Sequence, residues 1–288
     1  MYLQRPSALL AVLFTTWTKG EIRAYSMSST PLRDPMFSSS RLLFQHYNVI
    51  ESTQDTAKKT LPSLGPNQIL ALTATEQTQG RGTSGRSWMG QSGNVFLTVA
   101  FSSKEVPTTL TLLPLQVGIL LAQRTTKILK QFGDGHASVE VKWPNDVLVN
   151  QKKVAGILIE SMVVQNNIWL LVGIGVNVHF APSIPKDGPQ RGRPSTSLQD
   201  NCQQQLPDST AHFMAQDLAE AIVQWLEHPT STSQKVIDDW KQLAFLGQPQ
   251  VIRDTNETVI PIDIQKDGQL LVQLENGTTR LLVADYLF

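Results

Sequence analysis

The strongest constraint on the fold is the run Ile-Trp-Leu-Leu-Val-Gly-Ile-Gly-Val-Asn-Val at residues 168–178. A strand this apolar is normally covered on both faces, so it is expected near the centre of a sheet. Residues 69–76 are a second buried-strand candidate, and residues 94–102 alternate as a strand in a covered sheet would. The chain is therefore expected to be built around a covered β-sheet.

Helical patterns and short strands complete this prediction. Apolar side chains recur at three- and four-residue steps over 108–132, which is a helix predicted to end at Gly133. The same spacing predicts a helix from Asp208 or Ser209 to Leu226. Shorter helices are expected after Ser52 and around 234–243, and further strands at 138–143, 146–149 and 154–163. The predicted fold is α/β (α+β), with a mixed, mostly antiparallel sheet flanked by helices.

The two ends of the chain differ from the middle. Residues 244–288 contain short strands separated by Asp-Gly and Asn-Gly turns, which predicts a small C-terminal β-barrel domain after a main domain at 41–243. Residues 1–40 are rich in Ser, Thr and basic side chains and resemble a presequence for mitochondria or another organelle. A secretory signal and a tail without a targeting role remain open, and Met27 or Met36 could start a cytosolic form.

Composition excludes several classes of function. Lys+Arg and Asp+Glu are both 24, so general electrostatic attraction to nucleic acid or to a membrane is not expected. The single cysteine, Cys202, excludes an intramolecular disulfide, and the five scattered histidines do not have zinc-ligand spacing.

A glycine-rich loop at Gly80–Trp88 follows the strand candidate at 69–76 directly. It is neither a Walker A sequence nor a Rossmann fingerprint. Its glycines allow a ligand to approach the backbone closely, and Arg81 and Arg86 suit a phosphate or a carboxylate. Trp88 could stack on a base or belong to the core. The loop is interpreted as an anion-binding element, with a flexible surface loop as the alternative.

A second motif, Lys142-Trp143-Pro144-Asn145-Asp146, lies at a strand end. Lys142 could neutralise charge on phosphorus, and Asp146 could hold Mg²⁺ near phosphates. The alternative is a turn with a solvated lysine. Lys153 follows, and glycines at 156, 173 and 175 within strands suggest close approach by a ligand.

In family order, these pieces make the chain resemble a biotin protein ligase. The matching pieces are Glu51-Ser52-Thr53, Thr75–Gly82, Gly85–Trp88, Lys142–Asp146, Lys153–Glu160 and Gly173–Asn177. The resemblance implies a class II synthetase-like catalytic domain at 41–243. It also implies a monofunctional enzyme without the bacterial DNA-binding domain, since few residues precede Leu42. The implied activity is ATP-dependent attachment of biotin to a lysine of biotin carboxyl carrier domains through biotinyl-5′-AMP, with Mg²⁺.

The resemblance also implies roles for individual residues. Those implied to bind biotin are Ser52, Thr53, Gln54, Gln77, Arg81, Gly82, Thr83, Lys153 and Gly156. Those implied to bind ATP are Arg86, Trp88, Lys142, Asn145, Asp146, Gly173 and Asn177. The implied catalytic residues are Lys153, Lys142, Asp146 and Arg81, with Asp146 also as the Mg²⁺ ligand.

Two positions depart from the bacterial pattern, which usually has Asn at Gln54 and often Arg at Thr83. The second departure predicts faster release of the adenylate. A lipoate or octanoate ligase or transferase is the nearest alternative, and a nucleic-acid-binding module is a more remote one. The implied partners are carrier domains, without specific nucleic acid or a membrane, and a homodimer remains open.

Overall fold

The computed structural model describes residues 39–65, 67–133, 135–184, 193–228, 232–252 and 255–283, which all lie in one compact unit. The predicted presequence, apart from its last two residues, and the alternative starts at Met27 and Met36 lie outside these residues. They stay predictions. No helix in this described part is both long and apolar enough to cross a membrane.

A seven-stranded mixed sheet forms the centre of the molecule, in the order β1-β2-β3-β7-β6-β5-β4. Its strands are β1 (Leu42–Ile50), β2 (Ile69–Gln77), β3 (Val95–Ser102), β4 (Val139–Lys142), β5 (Asp146–Val149), β6 (Lys152–Val164) and β7 (Asn167–Val176). Only β1 and β2 pair in parallel; the other neighbours are antiparallel. The mixed, mostly antiparallel sheet is confirmed, and the most apolar strand, β7, lies at its centre.

Helices cover the two faces of this sheet unequally. The helices are α1 (Thr53–Thr60), α2 (Leu113–Phe132), α3 (Thr210–Glu227) and α4 (Ser233–Leu243). The last three pack on the face to which Val172 and Ile174 of β7 point. The shorter α1 packs on the other face, against Leu70 and Leu171. Because α1 is short, it does not cover the whole second face. The part formed by β5, β6 and β7 can therefore carry a binding site.

The long helix starts later than predicted. A short 3-10 turn occupies Leu110–Leu112, and α2 begins at Leu113. Pro114 explains the difference, since proline is tolerated in the first helical turn, where no backbone N–H donor is needed. The predicted end at Gly133 is confirmed, with its N–H donating to Leu129 O.

The C-terminal strands form a small antiparallel sheet of their own. Its strands are β8 (Gln250–Val251), β9 (Thr258–Ile264), β10 (Leu270–Leu274) and β11 (Thr279–Leu282), in the order β11-β10-β9-β8. Among the described residues this is a four-stranded sheet with β8 and β11 at its edges, where the sequence predicted a small β-barrel. Its inner side chains, such as Val259 and Leu270, join the same core as α2 and α3.

Candidate active site

Three glycines form the floor of a groove on the α1 side of the sheet. Gly156 of β6 is paired with Gly175 of β7, and Gly173 is two residues before Gly175. Gly173 and Gly175 have the same parity as Leu171, which points to the α1 face, and Gly156 shares this face because it is the cross-strand partner of Gly175. Because they carry no side chain, other groups can lie directly on the sheet backbone at these positions, and a Cβ at Gly173 would lie 2.9 Å from Gln54 Nε2.

The Gly80–Trp88 loop is an ordered hairpin that covers one end of this groove. Gly82 N–H donates to Arg86 O at 2.7 Å, and Trp88 N–H donates to Gly80 O at 2.8 Å. Gly80 has no room for a side chain, since a Cβ there would lie 2.5 Å from Trp88 O. These backbone hydrogen bonds and the contact of Trp88 with the sheet place the loop over the sheet.

The indole of Trp88 lies directly on the glycine floor. A Cβ at Gly175 would lie 2.4 Å from Trp88 Cε2, and one at Gly156 would lie 3.1 Å from Cζ3. The Lys153 ammonium lies 5.4 Å from the centroid of the ring, a cation–π distance. Trp88 Nε1 is buried and has no hydrogen-bond partner among the described residues. The ring is therefore held by packing and by this cation–π contact, and its Nε1–H donor is left for a ligand.

Buried polar side chains at the start of α1 form the second wall. Ser52, Thr53 and Gln54 are each at most 4% exposed. Thr53 N–H donates to Gln77 Oε1 at 2.7 Å, and Thr98 Oγ1 donates to Thr53 Oγ1 at 2.9 Å. The structure thus brings together four of the residues implied to bind biotin: Ser52, Thr53, Gln54 and Gln77.

The Gln54 side chain presents one free acceptor. Its Nε2 donates to Leu158 O at 3.0 Å and to Leu171 O at 3.4 Å. Both partners are carbonyl oxygens, which fixes the orientation of the amide, because its nitrogen must face them. Gln54 Oε1 is then buried without a partner in the described part of the chain. An unpaired buried acceptor is costly, so this atom suits a ligand N–H.

Lys153 and Asp146 form an ion pair next to the Trp88 ring. Lys153 Nζ lies 2.6 Å from Asp146 Oδ1, and both side chains are less than one-fifth exposed. Burial opposes ionisation of Asp146, but the charges of Lys153 and Lys142 outweigh it and hold the pKa of Asp146 below its ordinary value. Asp146 is therefore a carboxylate at neutral pH.

Lys142 is a second cation beside this pair. Burial lowers the pKa of Lys142, and the Asp146 carboxylate opposes this shift only in part. Its Nζ donates to Trp143 O at 3.4 Å, and within the described ranges no carboxylate lies within ion-pair distance of it. A half-desolvated cation without a partner favours binding of an anion.

The two arginines of the Gly80–Trp88 loop, Arg81 and Arg86, point away from the glycine floor. Arg81 Nη2 lies 2.8 Å from Asp55 Oδ1 and 3.1 Å from Glu160 Oε2, so its guanidinium fastens the loop to α1 and β6. Arg86 folds back on Thr83, donating to Thr83 O at 3.1 Å and to Thr83 Oγ1 at 2.8 Å. In this state neither guanidinium lies against the glycine floor, and their assignments to substrate stay predictions.

The two asparagines assigned to ATP both support the backbone around the site. Asn145 Nδ2 donates to Ile157 O at 2.8 Å, which ties the Lys142–Asp146 turn, with its cis Trp143–Pro144 peptide bond, to β6. Asn177 Nδ2 donates to Thr196 O at 3.1 Å. Their contacts with a nucleotide stay predictions.

One charged residue of this site was missed by the sequence analysis. Arg193 follows β7 outside any helix or strand, in a stretch where a lone arginine carries no motif. The segment after it docks on the core, because Lys153 N–H donates to Pro194 O and Thr196 N–H donates to Lys153 O. This pairing brings Arg193 to the same end of β6 as Lys153.

The described residues contain no group of three or more His, Cys, Asp or Glu side chains that could hold a metal. Magnesium typically uses one or two carboxylates together with substrate phosphates. Asp146 fits the role of a single carboxylate ligand to an ion that arrives with a nucleotide. It does not by itself form a resident metal site.

Comparison with known proteins agrees with this geometry. Residues 47–177, which include the loop, both lysines and the glycine floor, match the model of the Biotin/lipoate A/B protein ligase family. Over these residues the chain is similar to biotin/lipoate A/B protein ligases.

Curated relatives of this ligase domain are biotin ligases. The biotin–[acetyl-CoA-carboxylase] ligase of Paracoccus denitrificans is 37% identical over 134 residues, 46% of this chain and 53% of that protein. The bifunctional ligase/repressor BirA of Bacillus subtilis is 32% identical over 139 residues, 48% of this chain and 41% of that protein. The matched part thus spans about half, or less, of each relative.

Solved structures extend the similarity over most of the chain. The biotin protein ligase of Leishmania major, solved with biotin, is 26% identical with a TM-score of 0.60, covering 86% of this chain and 100% of that one. The Aquifex aeolicus biotin protein ligase, solved with biotin and ATP, is 24% identical with a TM-score of 0.63, covering 86% and 97%. The second likeness supports the fold of the ligase domain and its small C-terminal sheet.

Proposed function

We propose that this protein is an ATP-dependent biotin protein ligase that biotinylates a lysine of biotin carboxyl carrier domains through biotinyl-5′-AMP. The observation that carries the proposal is a juxtaposition within one groove. A buried polar pocket at the start of α1 and a glycine floor lie next to the Lys153–Asp146 pair and to Lys142. Biotin has a small neutral head group, which needs a polar pocket, and a reacting carboxylate, which needs neighbouring cations.

The polar pocket suits the ureido ring of biotin. A urea presents two N–H donors and one carbonyl acceptor, and the free Gln54 Oε1 can accept one of those N–H groups. The hydroxyl of Ser52, 1% exposed, lies at the same wall. Lipoate has no urea and would leave Gln54 Oε1 unpaired, at a cost of about 1–3 kcal/mol. This atom supports biotin over the lipoate alternative.

The lysines would act in formation of the adenylate. The biotin carboxylate attacks the α-phosphate of ATP, a C–O–P bond forms, the bond from the α-phosphorus to the bridging oxygen breaks, and diphosphate leaves with the bonding electrons. Carboxylate and ATP are both anionic, so cations must bring them together and stabilise the charge on the phosphorus centre. Lys153 and Lys142 provide this charge inside the groove. Magnesium would neutralise the phosphates, with Asp146 as its protein ligand.

In the second step an acceptor lysine attacks the mixed anhydride and releases AMP. The lysine arrives as an ammonium, since its ordinary pKa is about 10.4, so it must lose a proton to solvent before its free amine attacks the carbonyl carbon and AMP leaves with the bonding electrons. The pKa of Asp146 is held low, so this carboxylate is a weak base. Its role in the proposal is to attract and orient the incoming amine.

Biotin-dependent exchange of labelled diphosphate into ATP tests the first step. The wild type should exchange with biotin and not with lipoate. Lys153→Ala should lower the rate at least about a hundredfold, as expected when a cation contacting the transition state is removed. Lys152→Ala is the matched control, because Lys152 is the exposed neighbour and should keep wild-type rates. Exchange with lipoate alone, or a fully active Lys153→Ala, would overturn the proposal.

We propose separately that residues 1–40 direct the protein to an organelle. The basic, Ser- and Thr-rich composition of residues 1–40 supports import into mitochondria or another organelle. A fluorescent protein fused to residues 1–40 should accumulate in that organelle, and a diffuse cytosolic signal would contradict this.

A further inference from the structure

Arg193 is anchored at the rim of the groove by the chain segment that follows it. Lys153 N–H donates to Pro194 O at 2.8 Å, and Thr196 N–H donates to Lys153 O at 2.9 Å. Asn177 Nδ2 holds the same segment through Thr196 O. These bonds join residues 194–196 as an extra parallel segment to the start of β6. Arg193 is therefore positioned by the backbone of Lys153 itself.

The guanidinium of Arg193 is supported on one side and free on the other. Its carbon lies 4.7 Å from the centroid of the Phe245 ring, and Nη1 donates to Gln151 O at 3.0 Å. A guanidinium has five N–H donors. Within the described ranges, Gln151 O is its one hydrogen-bond acceptor, and no carboxylate lies within 4 Å of it. Most of its donors thus remain available in a half-buried setting.

The charged side chains that influence Arg193 belong to the strands that form the groove. Glu140 and Lys142 of β4 share the face of the sheet opposite to the buried Val141, as do Asp146 and Leu148 of β5. Burial lowers the pKa of Arg193, while Asp146 and Glu140 oppose that shift. Arg193 in turn helps to lower the pKa of Lys142. Two cations that repel each other are thus held beside one groove, and neither forms an ion pair with another described residue.

We propose that Arg193 binds the diphosphate portion of the nucleotide together with Lys142. The planar guanidinium suits two phosphate oxygens at once, and stacking on Phe245 keeps its plane fixed. Lys153 is paired with Asp146 deeper in the groove, where the carboxylate would react, and Arg193 lies at the rim, where the leaving group would exit. This inference rests on the proposed adenylation, and it adds a specificity residue for a polyphosphate tail.

Calorimetric binding of inorganic diphosphate to the full chain tests this directly, without biotin, ATP or added metal. The wild type should bind, and Arg193→Ala should bind about tenfold more weakly or worse, as expected for the loss of a charge-assisted contact. The measurement does not depend on ligase activity. A protein that binds diphosphate through Arg193 but shows no exchange with biotin would refute only the proposed function.

Arg193→Gln separates phosphate binding from a structural role. Glutamine keeps a donor for Gln151 O but has no charge. A structural role predicts wild-type diphosphate binding for Arg193→Gln, whereas our proposal predicts the same loss as for Arg193→Ala. Arg193→Lys should recover part of the affinity. In the exchange assay, Arg193→Gln should raise the KM for ATP about tenfold or more and leave the KM for biotin unchanged.

Arg280→Ala is the charge-matched control, because Arg280 pairs with Glu257 on the C-terminal sheet and its loss changes the net charge equally. It should bind diphosphate like the wild type. Equal affinities for the wild type and Arg193→Gln would overturn the proposal, and so would a wild type that does not bind diphosphate.

Discussion

The contact between Trp88 and Gly175 predicts a strong and specific coupling. A Cβ added at Gly175 would lie 2.4 Å from Cε2, 2.6 Å from Nε1 and 2.7 Å from Cζ2 of the indole. Ordinary contacts between such atoms are about 3.5–4.0 Å. Gly175 lies in β7, which is paired on both sides with β3 and β6, so its backbone cannot retreat. Gly175→Ala must therefore displace the ring.

The expected cost of Gly175→Ala is about 1–3 kcal/mol of unfolding free energy, the usual range for overpacking. In a Trp88→Ala background the obstacle is absent. Alanine should then be neutral there, or stabilising by about 0.5–1 kcal/mol, because it restricts the unfolded chain more than glycine does. The double-mutant cycle should thus give a coupling energy of at least about 1 kcal/mol.

Urea unfolding followed by far-UV circular dichroism measures all four proteins without relying on tryptophan emission. Gly156→Ala is the internal comparison, because its Cβ would meet Trp88 and Lys153 at 3.1–3.2 Å, a distance that a small shift of flexible side chains relieves. Its cost should be smaller than that of Gly175→Ala. An equal cost of Gly175→Ala with and without Trp88 would refute the placement of the ring on the glycine floor.

Three further predictions concern the cations and the support of the site. Because burial lowers the pKa of Lys142, biotin-dependent exchange should fall as the pH rises through that lowered value, and Lys142→Arg should move the fall to higher pH; an identical pH profile would contradict this. Arg81→Ala should cost less than about 1 kcal/mol in urea unfolding, since its ion pairs are exposed, and a larger loss would show a buried role. Asn177→Ala should cost about 1–3 kcal/mol by leaving Thr196 O without its donor, whereas an unchanged unfolding free energy would contradict that contact.

The sheet and its helices were largely predictable because their patterns are local. The continuous apolar run of β7 indicates a strand that is buried on both faces. The three- and four-residue spacing in α2 indicates a helix that is buried along one face. The strand β1 was missed, since Leu42–Ile50 mixes polar and apolar residues and has little local signal. It becomes a strand through its parallel pairing with β2, which the order of residues along the chain does not reveal.

The site was predictable where a motif fixes both chemistry and position. Lys153 pairs with Asp146, and Thr53 at the start of α1 contacts Gln77, so each of these contacts joins two residues of the quoted motifs, while their roles stay predictions. Side-chain direction was less predictable: Arg81 turns to Asp55 and Glu160 because acidic partners lie on α1 and β6. Arg193 could not be found from the sequence, because the hydrogen bonds that bring its segment to β6 join residues about forty positions apart.

The central claim is that this groove joins biotin to a carrier protein at the expense of ATP. The most direct measurement is transfer of labelled biotin to a purified biotin carboxyl carrier domain by the full chain, with and without ATP. We expect ATP-dependent labelling of one lysine by the wild type, retained in Lys152→Ala and lost in Lys153→Ala. Absence of labelling by the wild type, or labelling that does not require Lys153, would contradict the account.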